Sequence, residues 1–325
     1  MKRKTYIILI ALLLCLTAVL TSCKDKDEDA EPVYFTVTFD SVGGSDVPSQ
    51  RVLKDGTATV PEEPVREGYI FSHWEKDGAF WNFESQTVTT DVTLKAVWID
   101  AASVYEYTVL ESGNACITKY KGDLDVIKVP TKLNGLTVEA IGGGVFSSIS
   151  SSTVKKIVVS DTVKSVGENA FSGCVDVKIE IAGELTHVGE NAFGNCTALE
   201  SVKLGEGLER ISFAAFSGCT SLKSIVLPKG VTLISENAFE GCESLLYVIA
   251  PETLATVESS AFRDCAALVT VYYYGTEQSF DAISVSSSYN ADFTEARLCL
   301  YSETEPTTDG DYWHYDERGN IRLWK

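Results

Sequence analysis

Histidine and basic residues are scarce in this 325-residue chain, and both shortages exclude functions. The three histidines, His73, His187 and His314, lie in three different regions of the chain. Nucleophilic catalysis needs a base beside the nucleophile, and such scattered histidines argue against it. The 27 basic residues are outnumbered by 46 acidic residues, which gives a net charge of −19. A chain this acidic repels nucleic acid and anionic lipid headgroups, so neither is expected as a partner.

Short motifs that carry common chemistry are also missing. The sequence contains no Gly-x-Gly-x-x-Gly, no Walker loop, no His-Glu-x-x-His and no Cys-x-x-Cys. Its carboxylates scatter along positions expected to be exposed, without pairing across an apolar cleft. The sequence therefore predicts no enzyme activity, no cofactor and no metal site.

The first 23 residues have the order of an export signal. Three basic residues at positions 2–4 precede an apolar run over 6–20, which is too short for a comfortable membrane span. The run ends in Leu-Thr-Ser-Cys, and this ending resembles the lipobox of bacterial lipoproteins. The resemblance implies that residues 1–22 are a removed signal peptide and that Cys23 carries the lipid. An ordinary secretory signal with an incidental cysteine is the alternative.

A charged segment over 23–32 follows the signal. Residues 24–31 read Lys-Asp-Lys-Asp-Glu-Asp-Ala-Glu, and such an apolar-poor stretch is expected to remain a solvated tether. It resembles the acidic tails that mark surface-exposed lipoproteins of the Bacteroidetes group, although a plain spacer would look similar. The resemblance implies a lipid-anchored protein exposed on the cell outer membrane. Signal removal takes away three basic residues and no acid, so the net charge moves from −19 to −22.

Residues 33–99 alternate β-branched and aromatic runs with glycine and proline turns, which predicts a small, mostly β module. The order V-T-F-D-x-x-G-G, P-x-x-P-x-x-x-G-Y-x-F-x-x-W and T-L-x-A-x-W resembles the internalin B-repeat (Listeria–Bacteroides) domain. That resemblance implies a β-grasp-like fold. His73 stands where the family usually has glycine, which puts the local turn in doubt. Trp74, Trp81 and Trp98 are read either as the core of the module or as a sugar-stacking platform.

Five copies of Ala-Phe-x-x-Cys recur through the middle of the chain. Their phenylalanines, Phe171, Phe193, Phe216, Phe239 and Phe262, are separated by 22, 23, 23 and 23 residues. Aliphatic residues follow the last four cysteines at the third and sixth positions, and the period-2 portion predicts a short strand. One such repeat cannot bury its own apolar face. The periodicity therefore predicts a solenoid of stacked coils, with a continuous parallel sheet and a buried phenylalanine ladder.

The repeat frame resembles the BspA-type (Treponema-type) leucine-rich repeat, over about 125–275. The expected fold class is an α+β solenoid: a small β-grasp-like domain (33–99), a leucine-rich-repeat solenoid (100–275) and a C-terminal cap (276–325). Trp313 and Trp324 are expected to cover the end of the last coil. The coil after Phe146 has a 25-residue spacing and is expected to be distorted. The repeat cysteines are expected to be buried free thiols, with disulfides between coils as the alternative.

Outward-facing strand positions supply the candidate binding residues. They are Lys156, Lys178, Lys203, Tyr247, Ile249, Tyr272 and Tyr274. Exposed tyrosine and isoleucine together have the composition of an interface hot spot, although strands tolerate both residues on either face and the cap could cover part of the patch. Relatives of this repeat type include surface adhesins. The resemblance implies a binding role and does not identify a ligand. We expect a monomer that binds an extracellular or host-matrix protein. Glycan capture by the small-domain tryptophans and a non-binding structural spacer remain the alternatives.

Overall fold

The computed structural model describes residues 31–147 and 149–324. The predicted signal peptide, Cys23 and nearly all of the acidic tether lie outside the described residues. Among the described residues, no helix has the length and apolar character to cross a membrane. The chain falls into two compact units: the first runs to Thr38 and resumes over Ser49–Val60 and Asn82–Thr93, and the second takes the remainder, including everything from Leu94 onward. Both units therefore take part of segment 33–99.

The first unit is built on one antiparallel strand pair. Strand β1 (Tyr34–Asp40) runs against β2 (Gln50–Leu53), with Tyr34 opposite Leu53. The chain after β2 is held to a later segment, because the Val88 amide donates to the Gly56 carbonyl at 2.8 Å. Val88 itself is buried. This unit is therefore a small β element of the kind that the sequence predicts.

The second unit begins with three antiparallel strands. These are β3 (Tyr69–Lys76), β4 (Ala79–Phe80) and β5 (Val92–Asp100). Trp74 and Trp81 are only 3% and 5% exposed, and the Trp74 ring packs against Phe39 with centroids 4.9 Å apart. His73 is accommodated by a register shift in β3 between Phe71 and His73, so the strand continues through it. The buried tryptophans thus form core, as the first of the two readings proposed.

A hairpin closes the first coil of the solenoid. Helix α1 (Ala101–Val104) leads into β6 (Tyr105–Val109), which pairs antiparallel with β7 (Ala115–Tyr120). The Tyr120 ring packs between Tyr105 and Phe146, at 5.3 and 6.0 Å. The Tyr105 hydroxyl donates to the Lys128 carbonyl at 2.9 Å. Tyrosines therefore cover the first phenylalanine of the ladder.

Packing continues across residue 99, where the sequence pattern changes. Ile70 belongs to the same buried cluster as the solenoid core. The Lys128 ammonium donates to Glu63 Oε2 at 2.6 Å and to the Phe71 carbonyl at 3.1 Å. Lys132 forms a second ion pair of this kind. Strand β3 and its flanking loop are therefore fixed on the first solenoid coils.

Each coil contributes a strand to one or both of two parallel arrays. The front array contains β8 (Val126–Val129), β11 (Lys156–Val159), β13 (Lys178–Ile181), β16 (Ser224–Val226), β18 (Tyr247–Ala250), β20 (Thr270–Tyr273) and β22 (Arg297–Tyr301), and continues into β23 (Tyr312–Tyr315) and β24 (Ile321–Leu323). The back array contains β6, β7, β10 (Leu136–Ile141), β12 (Ser165–Val166), β14 (His187–Val188), β15 (Arg210–Ile211), β17 (Leu233–Ile234), β19 (Thr256–Val257) and β21 (Ser284–Val285), with β9 (Lys132–Leu133) paired to β10. The predicted solenoid with parallel strands is confirmed.

The Ala-Phe-x-x-Cys motifs stack on one another along the solenoid, and we call this continuous stack of buried phenylalanines and cysteines the spine. The rings of Phe193 and Phe216 lie 5.4 Å apart and within 3° of parallel, and the ladder runs unbroken from Phe146 to Phe262. Each repeat cysteine is fully buried, as predicted. Its thiol donates to the carbonyl of the phenylalanine one coil earlier, as Cys219 does to Phe193 at 3.1 Å. The cysteines therefore link neighbouring coils through hydrogen bonds.

A left-handed residue precedes every alanine of the five motifs. These residues, with positive φ between 50° and 58°, are Asn169, Asn191, Ala214, Asn237 and Ser260. Asparagine tolerates this conformation because its short polar side chain bonds locally, whereas alanine there is strained. The preference for asparagine before Ala-Phe is thus a backbone signal that the sequence interpretation did not use.

The front array is not continuous, contrary to expectation. Strands β8, β11 and β13 pair in full register, and so do β16, β18, β20 and β22, but residues 201–203 of the intervening coil pair with neither β13 nor β16 in the described chain. Instead, the Leu185 amide donates to the Lys203 carbonyl at 2.9 Å, and the Gly205 amide donates to the Leu185 carbonyl at 2.8 Å. The repeat that starts at Cys174 is one residue shorter than the others, so its strand and the next cannot align.

The longer coil after Phe146 is distorted in one loop. Its extra residues turn back at Ser150, whose carbonyl accepts from the Thr153 and Val154 amides. The Phe146 and Phe171 rings still stack at 5.2 Å, with a tilt of 22°. The distortion is therefore confined to a loop, and strand pairing on either side is kept.

Residues 276–301, predicted as part of the cap, form one more coil. Helices α2 (Glu277–Asp281) and α3 (Ala291–Thr294) alternate with β21 and β22, which pair in parallel with β19 and β20. Phe293 adds a ring to the ladder, 4.7 Å from Phe262. The Asn290 side chain accepts from the Phe262 amide at 3.1 Å, the role that an alanine carbonyl has in earlier coils.

The last two predicted cap tryptophans lie in different places. Trp313 of β23 is fully buried against the front array, in a cluster with Ile249 and Cys299. Trp324 stacks on His314 with centroids 4.0 Å apart and donates to the Ser302 carbonyl. Strands β23 and β24 pair antiparallel and end the array. Trp313 therefore covers part of the front face, and not the end of the last coil as expected.

Candidate functional site

The outward face of the front array is the candidate site. Along each strand, buried residues alternate with half-buried or exposed ones, as in the pattern of β11 and β20. Pleating places alternate side chains on opposite faces, so the same positions of successive strands form rows. The face begins with charged residues on β11 and β13 and becomes apolar and aromatic toward β20.

Two of the three candidate lysines share one carboxylate. Lys156 lies 2.6 Å from Glu180 Oε2, and Lys178 lies 3.1 Å from Glu180 Oε1. The hydrogen bond from Lys156, with a smaller contribution from Lys178, lowers the pKa of Glu180. Lys203 is exposed and has no ion-pair partner among the described residues. Of the predicted basic residues, Lys203 alone therefore presents an uncompensated charge on this face.

The predicted tyrosines assemble around Trp313. We call Tyr247, Tyr272, Tyr274, Tyr301, Trp313 and Tyr315 the aromatic cluster. Tyr272 contacts Tyr247 at 5.5 Å and Trp313 at 5.3 Å, edge to face in both pairs. Tyr274 contacts Trp313 at 5.1 Å. Tyr247, Tyr272 and Tyr274 keep part of their surface exposed.

Ile249 was expected on the exposed face, and this expectation is wrong. Ile249 is only 2% exposed and packs in one cluster with Trp313, Cys299 and the surrounding tyrosines. Strand β23, which carries Trp313, joins the array beyond β22. Ile249 therefore supports the aromatic cluster from below and cannot contact a ligand directly.

The aromatic cluster is tightly packed and carries neutral phenols. Burial raises the pKa of both Tyr272 and Tyr274. The Tyr274 hydroxyl also donates to the Tyr315 hydroxyl at 3.4 Å. Neutral phenols packed on an indole offer apolar surface with hydrogen-bonding edges, the combination found at binding hot spots.

Three members of the aromatic cluster were not among the candidate binding residues. Trp313, Tyr301 and Tyr315 come from the segment interpreted as a cap. The signal that could have located them was the aromatic density of Tyr-Trp-His-Tyr over 312–315 beside an aromatic end of the solenoid. The contact of these residues with the solenoid tyrosines could not be predicted, because the repeat pattern does not specify the order of the strands beyond β22.

The buried thiols of Cys219 and Cys242 are poorly suited to nucleophilic chemistry. Burial raises the pKa of Cys219, and it raises the pKa of Cys242 to about 12. The thiol is then protonated at neutral pH, whereas the thiolate is the nucleophile. No group of three or more histidine, cysteine or acidic side chains in residues 31–147 and 149–324 is placed to hold a metal ion.

The break in the array opens a cleft on each side of the solenoid. We call the opening between β13 and residues 198–203 the front gap; its volume is about 280 Å³. A second opening of about 480 Å³ lies between segments 186–190 and 207–212 of the back array. There the Ser212 hydroxyl donates to the Val188 carbonyl at 2.7 Å, whereas in the next coil it is the Ser235 amide that donates to Ile211. The spine remains closed beside both openings, with Phe171 and Phe193 stacked at 5.2 Å.

Comparison with known families agrees with this architecture. Residues 137–270 match the BspA type leucine rich repeat region in six copies, and residues 35–97 match the Listeria-Bacteroides repeat domain. The chain therefore carries both modules that its sequence resembles: a BspA-type leucine-rich repeat region preceded by a Listeria-Bacteroides repeat domain.

Individual relatives share parts of the chain. A protein of Evansella cellulosilytica, named as a membrane protein, is 37% identical over 78 residues, which are 23% of this chain and 11% of the relative. A second protein of that organism, named as a Gly-rich membrane protein, is 31% identical over 101 residues, 30% of this chain and 12% of the relative. The match thus spans about a tenth of either relative's length.

Solved leucine-rich repeat proteins also resemble the chain. The T. pallidum leucine rich repeat protein is 27% identical, with 53% of this chain and 69% of that chain covered and a TM-score of 0.37. A leucine-rich repeat protein of Bacteroides ovatus is 23% identical, with coverages of 60% and 69% and a TM-score of 0.29. A leucine rich cell surface protein of Faecalibacterium prausnitzii is 19% identical, with coverages of 57% and 97% and a TM-score of 0.32.

Proposed function

We propose that this chain is a lipoprotein of the bacterial cell surface that binds a protein partner through the front face of its solenoid. The BspA-type repeat region supports a role in protein interaction. The lipobox-like sequence ending at Cys23, and relatives named as membrane proteins, support attachment to a membrane, which we propose is the outer membrane. The partner that we propose is an extracellular or host-matrix protein.

The aromatic cluster is the observation that carries this proposal. Tyr272 and Tyr274 pack on one buried indole at 5.3 and 5.1 Å, and Tyr247 packs on Tyr272 at 5.5 Å, so little side-chain entropy is lost on binding. Val226, on the neighbouring strand of the same face, is 47% exposed. A rigid aromatic anchor beside exposed aliphatic surface matches the composition of hot spots at protein interfaces.

The mature chain can be tested against a panel of purified extracellular-matrix proteins by surface plasmon resonance. We expect saturable binding that falls by at least about thirtyfold in the double variant Tyr247→Ala and Tyr272→Ala, because the loss of even one central aromatic anchor costs about 2 kcal/mol or more. Tyr289→Ala is the matched control, since Tyr289 is 67% exposed and lies outside the aromatic cluster. Equal binding by the double variant and the wild type would show that this face is not the interface.

Anchoring is tested separately in cells. Cys23→Ser should abolish labelling by radioactive palmitate and release the protein from the membrane fraction. Protease treatment of intact cells should remove the solenoid from wild-type cells. Protection of the solenoid from protease would place it on the inner side of the outer membrane and contradict surface display.

The alternatives make different predictions. Glycan capture through the tryptophans requires exposed rings, whereas Trp74 and Trp81 are buried in the module core. Glycan-array binding that depends on those tryptophans and not on the solenoid would overturn the proposal. A purely structural spacer predicts no saturable ligand for any part of the mature chain.

A further inference from the structure

We infer that the front gap is a docking site at which an extended segment of a partner protein adds as a strand to the free edge of β13. The inference rests on the proposed function and specifies how the partner would be held. Strand addition is a general mode of peptide recognition in which backbone hydrogen bonds supply affinity and alternate side chains supply specificity. The front gap has the three features that this mode requires.

The first feature is a row of unpaired backbone groups. Strand β13 bonds to β11 through every second residue, since the Lys178 amide donates to Lys155 and the Ala182 amide donates to Val159, each at 3.1 Å. Alternate residues of a strand direct their amide and carbonyl groups to opposite sides. Ile179 and Ile181 therefore direct theirs into the front gap. Neither residue makes a backbone hydrogen bond on that side within the part of the chain that the structure describes.

The second feature is that the neighbouring coil bonds to the chain before and after β13 but does not pair with β13 in the described residues. Lys203 and Gly205 bond to Leu185, which lies four residues beyond Ile181, so the next coil joins the array only after β13 has ended. In the regular coils the same positions pair directly, as Ser224 does with Tyr247. The shortened Cys174 repeat thus leaves the edge of β13 unpaired in the described chain, whereas β8, β18 and β20 each pair with the strand of the next coil.

The third feature is a chemistry that matches an alternating strand. Ile179, Ile181 and Val202 form an apolar floor, and charged side chains form the rim. The rim carboxylates are already compensated, Glu180 by two lysines and Glu200 by Lys223 at 3.0 Å. Lys203 is left to attract an anion. The occupant is therefore an extended partner segment with apolar residues at alternate positions and an acidic residue near Lys203.

Other occupants fit less well. A helix satisfies its own backbone groups, so it cannot pair with the edge of β13. The charged tether of this chain reads Lys-Asp-Lys-Asp-Glu-Asp-Ala-Glu over 24–31, and alanine is its single apolar residue for the floor. A partner segment with strand-like alternation meets both requirements.

Hydrogen exchange tests the free edge directly. In the wild-type mature chain, the amides of Ile179 and Ile181 should exchange rapidly, whereas that of Ile157 on the interior strand β11 should be protected. Insertion of one serine after Val177 restores the 23-residue spacing, and should close the array and protect both isoleucine amides. Slow exchange of both amides in the wild type would overturn the inference.

Peptide selection tests occupancy. Phage-displayed random heptapeptides are panned on the immobilised mature chain, and selected peptides are then measured against three variants. We expect alternating apolar sequences that protect Ile179 and Ile181 from exchange and that bind the serine-insertion variant at least about tenfold more weakly, since at least one backbone hydrogen bond is lost. N-methylation of the alternate peptide amides that face β13 should abolish binding. N-methylation of the remaining amides, which face away from β13, should preserve it.

The remaining variants keep the test decisive. Lys203→Glu leaves the backbone unchanged and should weaken peptides that contain an acidic residue, even if the insertion variant does not fold. Tyr289→Ala, at an exposed tyrosine outside the aromatic cluster, should bind the same peptides as the wild type does. Strand addition would be refuted if every selected peptide bound the wild type, the insertion variant and Lys203→Glu equally well. A matrix protein that requires the tyrosines but binds the insertion variant normally would leave the proposed function standing without this inference.

Discussion

Replacement of Phe216 by alanine should show how much the phenylalanine ladder stabilises the solenoid. Phe216 is fully buried, and its ring stacks between Phe193 at 5.4 Å and Phe239 at 5.5 Å. Truncation removes the transfer free energy of the ring and leaves a cavity that stacked coils cannot collapse to fill, because the backbone ladder fixes their spacing. We expect the free energy of unfolding to fall by about 4 kcal/mol, within the range measured for buried phenylalanine.

Urea unfolding followed by circular dichroism measures this loss. The matched control lies three residues away in the same coil: Phe213 is 44% exposed, and Phe213→Ala should change the free energy of unfolding by less than about 0.5 kcal/mol. Neighbouring coils contact only each other, so the loss should also speed hydrogen exchange most strongly in the coils beside Phe216. A loss below about 1 kcal/mol for Phe216→Ala, or an equal loss for Phe213→Ala, would refute the ladder as the main source of stability.

Three further predictions follow from single residues. Burial raises the pKa of Cys242 from about 9 to about 12. Above pH 9 the thiol therefore loses its proton in the unfolded chain but keeps it in the folded chain. The contribution of this thiol to stability is complete below pH 9 and is lost as the pH rises toward 12. Cys242→Ala should remove about 1.4 kcal/mol of this alkaline loss per pH unit between pH 9 and 11, measured by urea unfolding, and parallel pH profiles would contradict the assignment. Asn290→Ala should cost about 3 kcal/mol by the same assay, because its buried amide group accepts from Phe262 and donates to the Glu258 and Ser286 carbonyls; a cost below about 1 kcal/mol would mean that water replaces it. Ala214→Gly should raise the free energy of unfolding by about 1 kcal/mol, because Ala214 has a φ of 50°, and a loss of stability would show that the methyl group contributes more through packing than it costs in strain.

Local periodicity explains why the solenoid could be predicted from sequence. The Ala-Phe-x-x-Cys frame repeats within each coil, and neighbouring coils lie about 23 residues apart, so every core contact is repeated at that spacing. The predicted burial of Phe171, Cys174 and their equivalents is confirmed because any other placement would expose the same apolar stripe several times over. The module over 33–99 was also identifiable, since its turn and aromatic positions are closely spaced.

The front face was predicted less completely, because part of it comes from outside the repeat. Alternation placed Tyr247 and Tyr272 on the exposed side, and they remain partly exposed. Alternation could not show that β23 returns Trp313 over Ile249, a contact that joins residues more than sixty positions apart. Residues 276–301 likewise lost the sequence motif but kept the coil, since Phe293 and Asn290 replace its phenylalanine and backbone carbonyl.

The sequence by itself determined the repeat, its coil length, the residues of its core and the two positions where the spacing departs from 23. Tertiary structure alone decided what each departure does. The longer coil after Phe146 keeps its strands paired, because additional residues can turn outward into solvent beside Ser150. The shorter coil after Cys174 has no residue to spare, so β13 and residues 201–203 separate while the phenylalanine spine holds. Inserted residues can form an outward loop that leaves the stacked coils unchanged. A deleted residue has no such outlet, so the deletion disrupts the strand pairing.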